Sequence, residues 1–141
     1  MKIFSEFNSE AEKIILRNGI GVIPTDTIYG IVGSAFSRRA VNRMYRLRRR
    51  RTDKPMIILI SSFNDLRIFG IKLDTETAKI LKRFWPGKVS ILLPCASKKF
   101  FYLHRGTRAL AFRLPAKKDL RKFLEITGPL VAPSANLEGK P

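Results

Sequence analysis

The stretch "KPMIILIS", residues 54–61, decides the fold class. It opens on a proline and carries no polar side chain from Met56 to Ile60. A short unbroken apolar run, bounded by a turn residue on one side and a serine on the other, predicts a buried strand. Upstream, "SRRAVNRMYRLRRRR" places Ala40, Val41, Met44 and Leu47 at helical spacing and sends most of its arginines to the opposite face. Downstream, "SSFNDLRIFG" predicts a short helix. Asp74 then caps a longer one, "TETAKILKRF", which stops at Trp85-Pro86-Gly87. Further out, "KVSILLP" and "TRALAFRLP" predict strands, "AKKDLRKFLEITG" a helix, and "PLVAPSAN" a last strand that leaves through a proline. At the other end, "SEAEKIILRNG" predicts a helix with Ser9 and Glu12 as a capping box and Gly19 as its stop, followed by the strand "IGVIP". Strands and helices alternate, so the class is α/β, in a single domain. The pattern does not give strand direction.

With 141 residues, the chain can bury roughly two-thirds of the surface that its unfolded form exposes. Hydrophobic residues at 45% and aromatics at 10% exclude a disordered chain. The one cysteine, Cys95, forms no internal disulfide, which fits a reducing cytoplasm. The start, with Glu6, Glu10 and Glu12 and no long apolar stretch, does not read as a signal peptide. No run approaches the ~18 apolar residues of a membrane span. The outlying property is charge. Twenty-eight Lys and Arg against eleven Asp and Glu give a net +17, a field that draws nucleotides, RNA, DNA or an anionic surface.

Three segments share one design, a buried strand whose exit carries small polar or cationic groups: "IPTDTIYG", "FRLP" and "VAPSAN". Ligands of open α/β sheets sit beyond strand carboxyl ends. Side by side, these exits would bring Thr25, Thr27, Arg113, Ser134 and Asn136 to one site. Any one of them alone reads as a turn or a local backbone cap; the three together point to a site. Arginine there suits a carboxylate or phosphate. A fourth segment, "LRRRRTDKP", puts Arg48, Arg50, Arg51 and Lys54 where a helix gives way to a strand. Four cations could hold a triphosphate there. Arg38, Arg39, Arg43, Arg46 and Arg49 read as a solvated basic face.

Neither GxxxxGK[ST] nor GxGxxG occurs. His104, the only histidine, makes no metal pattern with Cys95 and reads as a loop or surface residue; no nucleophile elbow supports a Ser-His-Asp triad. Trp85 reads as a packing anchor. Phe100, Phe101 and Tyr102, beside Lys98, Lys99 and Arg105, read equally as a base-stacking loop or as a loop tucked onto the core.

The ordered set "PTDTIYG", "LRRRRTDKPMIIL", "RFWPGKVSILLP", "AFRLP" and "PLVAPSANLEGKP" resembles the YrdC-like domain of the threonylcarbamoyl-AMP synthase family, from Pro24 to Pro141. The resemblance implies a YrdC-like fold over residues 1–141: a twisted, mostly open α/β sheet flanked by helices, with a basic cavity. It also implies that the family's usual C-terminal segment is lacking. The implied activity is nucleotidyl transfer that forms threonylcarbamoyl-AMP and pyrophosphate from L-threonine, bicarbonate and ATP. Downstream proteins would then use the product to modify tRNA, and magnesium would arrive with ATP rather than on a metal site of the protein. By match, Thr27, Tyr29 and Arg113 would contact threonine, and Arg50, Lys54 and Ser134 would contact ATP. The family's Lys-x-Arg and Ser-x-Asn set falls on Arg48, Arg50, Ser134 and Asn136, with arginine in place of the lysine at 48. The other reading, of a different class, is a non-catalytic YrdC-like protein that binds tRNA or double-stranded RNA.

Overall fold

The computed structural model describes residues 2–26, 29–48 and 56–133. One sheet organises them. Its strands are β1 (Lys2–Ile3), β2 (Ile20–Pro24), β3 (Tyr29–Ser34), β4 (Ile58–Leu59), β5 (Ile91–Pro94), β6 (Ala109–Arg113) and β7 (Leu130–Val131). They lie in the order β1-β2-β3-β7-β4-β6-β5. The sheet is mixed: β1 with β2 and β4 with β6 are parallel, and the other neighbours are antiparallel.

Alternation along the strands sorts side chains into two cores. Ile31, Ile58, Phe112 and Val131 face one way, with Ala40, Val41 and Met44 of α2 (Arg38–Arg48), Leu66 of α3 (Asp65–Ile68), Leu81 of α4 (Thr75–Phe84) and Leu103 of α5 (Phe101–His104). Val32, Leu59 and Leu130, each next in sequence to one of those, face the other way. They meet Ala11 and Ile15 of α1 (Ser9–Leu16) and Leu120, Phe123 and Leu124 of α6 (Lys118–Thr127). With helices on both faces, a central strand has no wet side, which is why "MIILI" carries no polar residue. Each side chain so buried contributes about 1.5–3 kcal/mol. No helix among the described residues is long and apolar enough to cross a membrane.

Local chemistry explains the helix ends. Asp74 Oδ1 accepts the Thr77 amide at 2.7 Å and caps α4, and that backbone hydrogen bond, seconded by the Thr77 side chain, holds its carboxyl below the usual range. The cap of α1 is Asn8, whose side chain accepts the Ala11 amide at 2.9 Å, and not Ser9. Asparagine one position earlier out-competes the serine because its longer acceptor reaches the N3 amide. The left-handed residue ending that helix is Asn18, at φ 65°, one place before the expected Gly19. In α2, Ala40, Val41 and Met44 are buried as their spacing predicts. Leu47 is 46% exposed, and Tyr45 takes the inner position.

Two strands are not legible in the sequence pattern, β1 and β3. β3 contains Gly30 and Gly33, which dilute the strand signal. Gly33 is there for close approach: a Cβ would stand 3.0 Å from Ile20 Cγ2, 3.1 Å from Met44 Sδ and 3.3 Å from Ala40 Cβ. The missing side chain lets α2 lie directly on β3. Gly33→Ala is therefore expected to destabilise the fold by about 1–3 kcal/mol. Gly30→Ala, whose new methyl would sit 3.4 Å from Thr25 Cγ2, should cost much less. Urea midpoints of the two variants check the difference.

Candidate active site

Strand β2 leaves the sheet at Pro24, whose last ladder partner is Tyr29 at the start of β3. The turn between them holds Thr25 and Asp26, and two contacts fix where it goes. Gly30 leaves a gap that brings Thr25 Cγ2 within 3.4 Å and the Pro133 carbonyl oxygen within 3.7 Å of the position a Cβ would occupy. The exit of β7 thus lies against the β2–β3 hairpin. The second contact is longer in range: the Asp26 carboxylate Oδ1 accepts a hydrogen bond from Arg113 Nη1, the last residue of β6, in a salt bridge.

β2 and β6 are not neighbours, since β3, β7 and β4 lie between them. In a flat sheet four inter-strand steps of ~4.8 Å would hold them about 19 Å apart. A direct guanidinium–carboxylate bond across that gap requires the sheet to twist and the hairpin to fold over its face. The register says which face. Ser34, Leu130, Leu59 and Arg113 form one cross-strand row, and the two leucines belong to the core under α1 and α6. Arg113 therefore stands at the end of an apolar row.

Both partners are nearly dry, with side-chain exposures of 7% for Arg113 and 9% for Asp26. Desolvating two charges is costly, and a buried pair by itself often adds little net stability. This one is also incomplete, because Asp26 Oδ2 is buried and has no hydrogen-bond partner. A buried, half-satisfied ion pair where strand exits meet is the arrangement expected of a site rather than of a scaffold.

Among the other sequence-predicted residues, Tyr29 stands beside the turn and is about half exposed. Arg48 is the last residue of α2. Thr27, Arg50, Lys54, Ser134 and Asn136 lie outside the described residues. Asp26, in contrast, is read from sequence only as a turn former. The signal available was a carboxylate set between two threonines just past a strand-ending proline, in a chain with an arginine at another strand end.

Several residues read as uncertain from sequence have structural roles. His104 is a buried helix residue, not a loop or surface one. The Gly106 amide donates to its Nδ1 at 3.1 Å, so Nε2 carries the proton and donates to the Ser97 carbonyl at 3.0 Å. Both ring nitrogens are committed to backbone, which leaves neither for a catalytic triad. Phe100 is buried, and the Tyr102 hydroxyl donates to the Ala35 carbonyl at 2.6 Å, so this aromatic run is core packing rather than a stacking platform. Burial pushes the Tyr102 hydroxyl above its ordinary pKa. Trp85 is an anchor, with its indole N–H donating to the Val89 carbonyl at 2.8 Å. Cys95 is buried against the Phe69 carbonyl, and burial pushes its thiol up. Arg38, Arg39, Arg43 and Arg46 lie exposed along α2. Among the described residues no group of three His, Cys, Asp or Glu could hold a metal ion.

The family model named for Sua5, YciO and YrdC, described as "Telomere recombination", matches residues 13–141. Among curated proteins, a threonylcarbamoyl-AMP synthase of Pyrococcus abyssi is 36% identical over 128 residues, which is 89% of this chain and 38% of that protein. A protein of the same name from Bacillus subtilis is 30% identical over 94% of this chain and 39% of its own length. Among solved structures, P. abyssi Sua5 complexed with L-threonine aligns with a TM-score of 0.87 at 32% identity, covering all of this chain and 44% of that one. The chain spans about two-fifths of the length of these relatives.

The buried pair makes a thermodynamic prediction. Arg113→Leu strands the Asp26 charge and should destabilise the protein by about 3–5 kcal/mol, whereas Arg113→Leu with Asp26→Leu should recover most of that loss. A double-mutant cycle by chemical denaturation measures it.

Proposed function

The chain belongs to the Sua5–YciO–YrdC family, and from that premise we propose that it forms threonylcarbamoyl-AMP and pyrophosphate from L-threonine, bicarbonate and ATP. The observation that carries this reading is Arg113. It is a buried guanidinium at a strand end, held beneath the turn that follows Pro24, in a chain whose similar relatives bear the synthase name. A dry arginine with a planar fork is suited to a substrate carboxylate, and threonine supplies one.

In this reaction the threonine nitrogen takes up carbon dioxide or bicarbonate and becomes a carbamate. A carbamate oxygen attacks the α-phosphorus of ATP, the bond to the bridging oxygen of the β-phosphate breaks, and pyrophosphate leaves. Threonine is oriented by Arg113, Thr27 and Tyr29. Arg48, Arg50, Lys54, Ser134 and Asn136 surround the phosphates and offset the negative charge that the carbamate and the triphosphate bring together. Holding nucleophile and phosphorus in line supplies much of the remaining acceleration. Magnesium enters as part of the ATP complex. Arginine at 48 serves as a phosphate cation, since a guanidinium keeps its charge and is no base. The product passes to proteins that transfer the threonylcarbamoyl group to tRNA, which puts the work in the cytoplasm. The net +17 charge supports polyanionic substrates and tRNA-bearing partners alike.

Pyrophosphate release from ATP should require L-threonine and bicarbonate together; release without threonine, or none with all three, overturns the reading. Arg113→Lys keeps a counter-charge for Asp26 and loses the fork. Its KM for threonine should rise by roughly tenfold or more while its KM for ATP stays within about twofold. Equal changes in both would remove Arg113 from the threonine site.

A further inference from the structure

The Asp26–Arg113 pair has loose ends of both signs. Among the described residues, the guanidinium makes one hydrogen bond, from Nη1 to Asp26 Oδ1. Its other N–H groups are the donors left for a carboxylate. Asp26 Oδ2 is the complementary case, a carboxylate oxygen shut off from solvent with no donor. A purely structural latch would satisfy both oxygens, and a turn carboxylate that only needs solvation would not be nine-tenths buried. An oxygen kept dry and unmet carries a penalty that a bound donor would relieve. The donor that fits best is cationic, because the charge left exposed on that side of the pair is negative.

A free α-amino acid brings both groups at once, an ammonium and a carboxylate on adjacent atoms. The pair presents their complements at the same separation in kind: a lone anionic oxygen beside a partly used guanidinium. We propose that Asp26 is the ammonium-binding half of an α-amino acid site whose carboxylate half is Arg113. This inference rests on the assignment of Arg113 made under the proposed function. It adds a selectivity: the site takes zwitterions and rejects hydroxy acids of the same shape. It also accounts for the fold-over of the β2–β3 hairpin, which delivers Asp26 to a strand that is not its neighbour.

The test is calorimetric titration of the 141-residue chain and its Asp26→Asn variant with L-threonine, L-serine and (R)-3-hydroxybutanoate, which is threonine without its amine. Asparagine keeps the size and an oxygen for Arg113 Nη1 but removes the negative charge from the second position. L-threonine binding should weaken about tenfold or more in the variant, with (R)-3-hydroxybutanoate changed by less than about twofold. Undiminished threonine binding by Asp26→Asn would overturn the inference and leave the threonine reading standing. Wild-type binding of L-serine but not L-threonine, lost in Asp26→Asn, would support the inference and sink the threonine reading. Binding of none of the three would overturn both. Should Asp26→Asn fail to fold, the side-chain carboxyl ¹³C resonance of Asp26 in the wild type decides. It should move with L-threonine and not with (R)-3-hydroxybutanoate, and an unmoved signal overturns the inference.

Discussion

A sheet that is dry on both faces constrains everything else in this chain. Ile58 and Leu59 are adjacent in sequence and fully buried in different cores. Along such a strand a charge has no solvent to fall back on and must bring its counter-charge with it. Arg113 ends the row that Leu130 and Leu59 begin, and Asp26 is the counter-charge. Because that carboxylate sits on a hairpin from the far side of the sheet, satisfying the arginine also fixes the hairpin. The hairpin in turn sets Thr25 beside the exit of β7 at Pro133. One electrostatic requirement thereby gathers three strand exits.

The two faces divide the chemistry. The core under α1 and α6 ends in the Asp26–Arg113 pair, while the other face is covered by α2 to α5 and presents exposed cations. Arg105 lies over the Tyr45 ring at 4.2 Å and donates to Asn42 at 2.8 Å, and Arg38 lies over Tyr102 at 5.3 Å. Stacking on aromatic rings holds these guanidinium groups at the surface rather than letting them collapse onto it. Their field extends over roughly a Debye length, about 8–10 Å in physiological salt, and favours the approach of anions over the whole α2–α5 side.

Periodicity carried much of this architecture into the sequence. The apolar run at Met56–Ile60, the stripe of α2 at Ala40, Val41 and Met44, and the Asp74 cap are local patterns with local causes, and the structure has each of them. Features that depend on distant neighbours are harder to read. β3 hides behind glycines whose purpose is the approach of Met44 and Ala40, which local sequence does not reveal. Leu47 is apolar and exposed because Tyr45, one position off the expected stripe, fills the inner place under Arg105. In the site, Arg113 is conspicuous as a cation ending an apolar strand. Asp26 is not, because an aspartate after a proline has an ordinary local explanation, and only the partner 87 residues away overrides it. His104 is the reverse case: its residue type suggests chemistry, yet backbone groups engage both of its nitrogens.

The place of β7 bears on how the chain assembles as it is synthesised. It is the last of the described strands, and it lies in the middle of the sheet between β3 and β4. Until Leu130 and Val131 have emerged from the ribosome, β3 and β4 each keep an open edge and the nascent sheet stays in two halves. Its antiparallel pairing with β3 joins Leu130 to Ser34, a contact of long sequence separation that forms late and slowly. During that interval the apolar edges of β3 and β4 are open to pairing with other chains. A nascent molecule of this protein therefore depends on being shielded, by a chaperone or by the ribosome surface, up to the moment its seventh strand wedges in and joins the two halves.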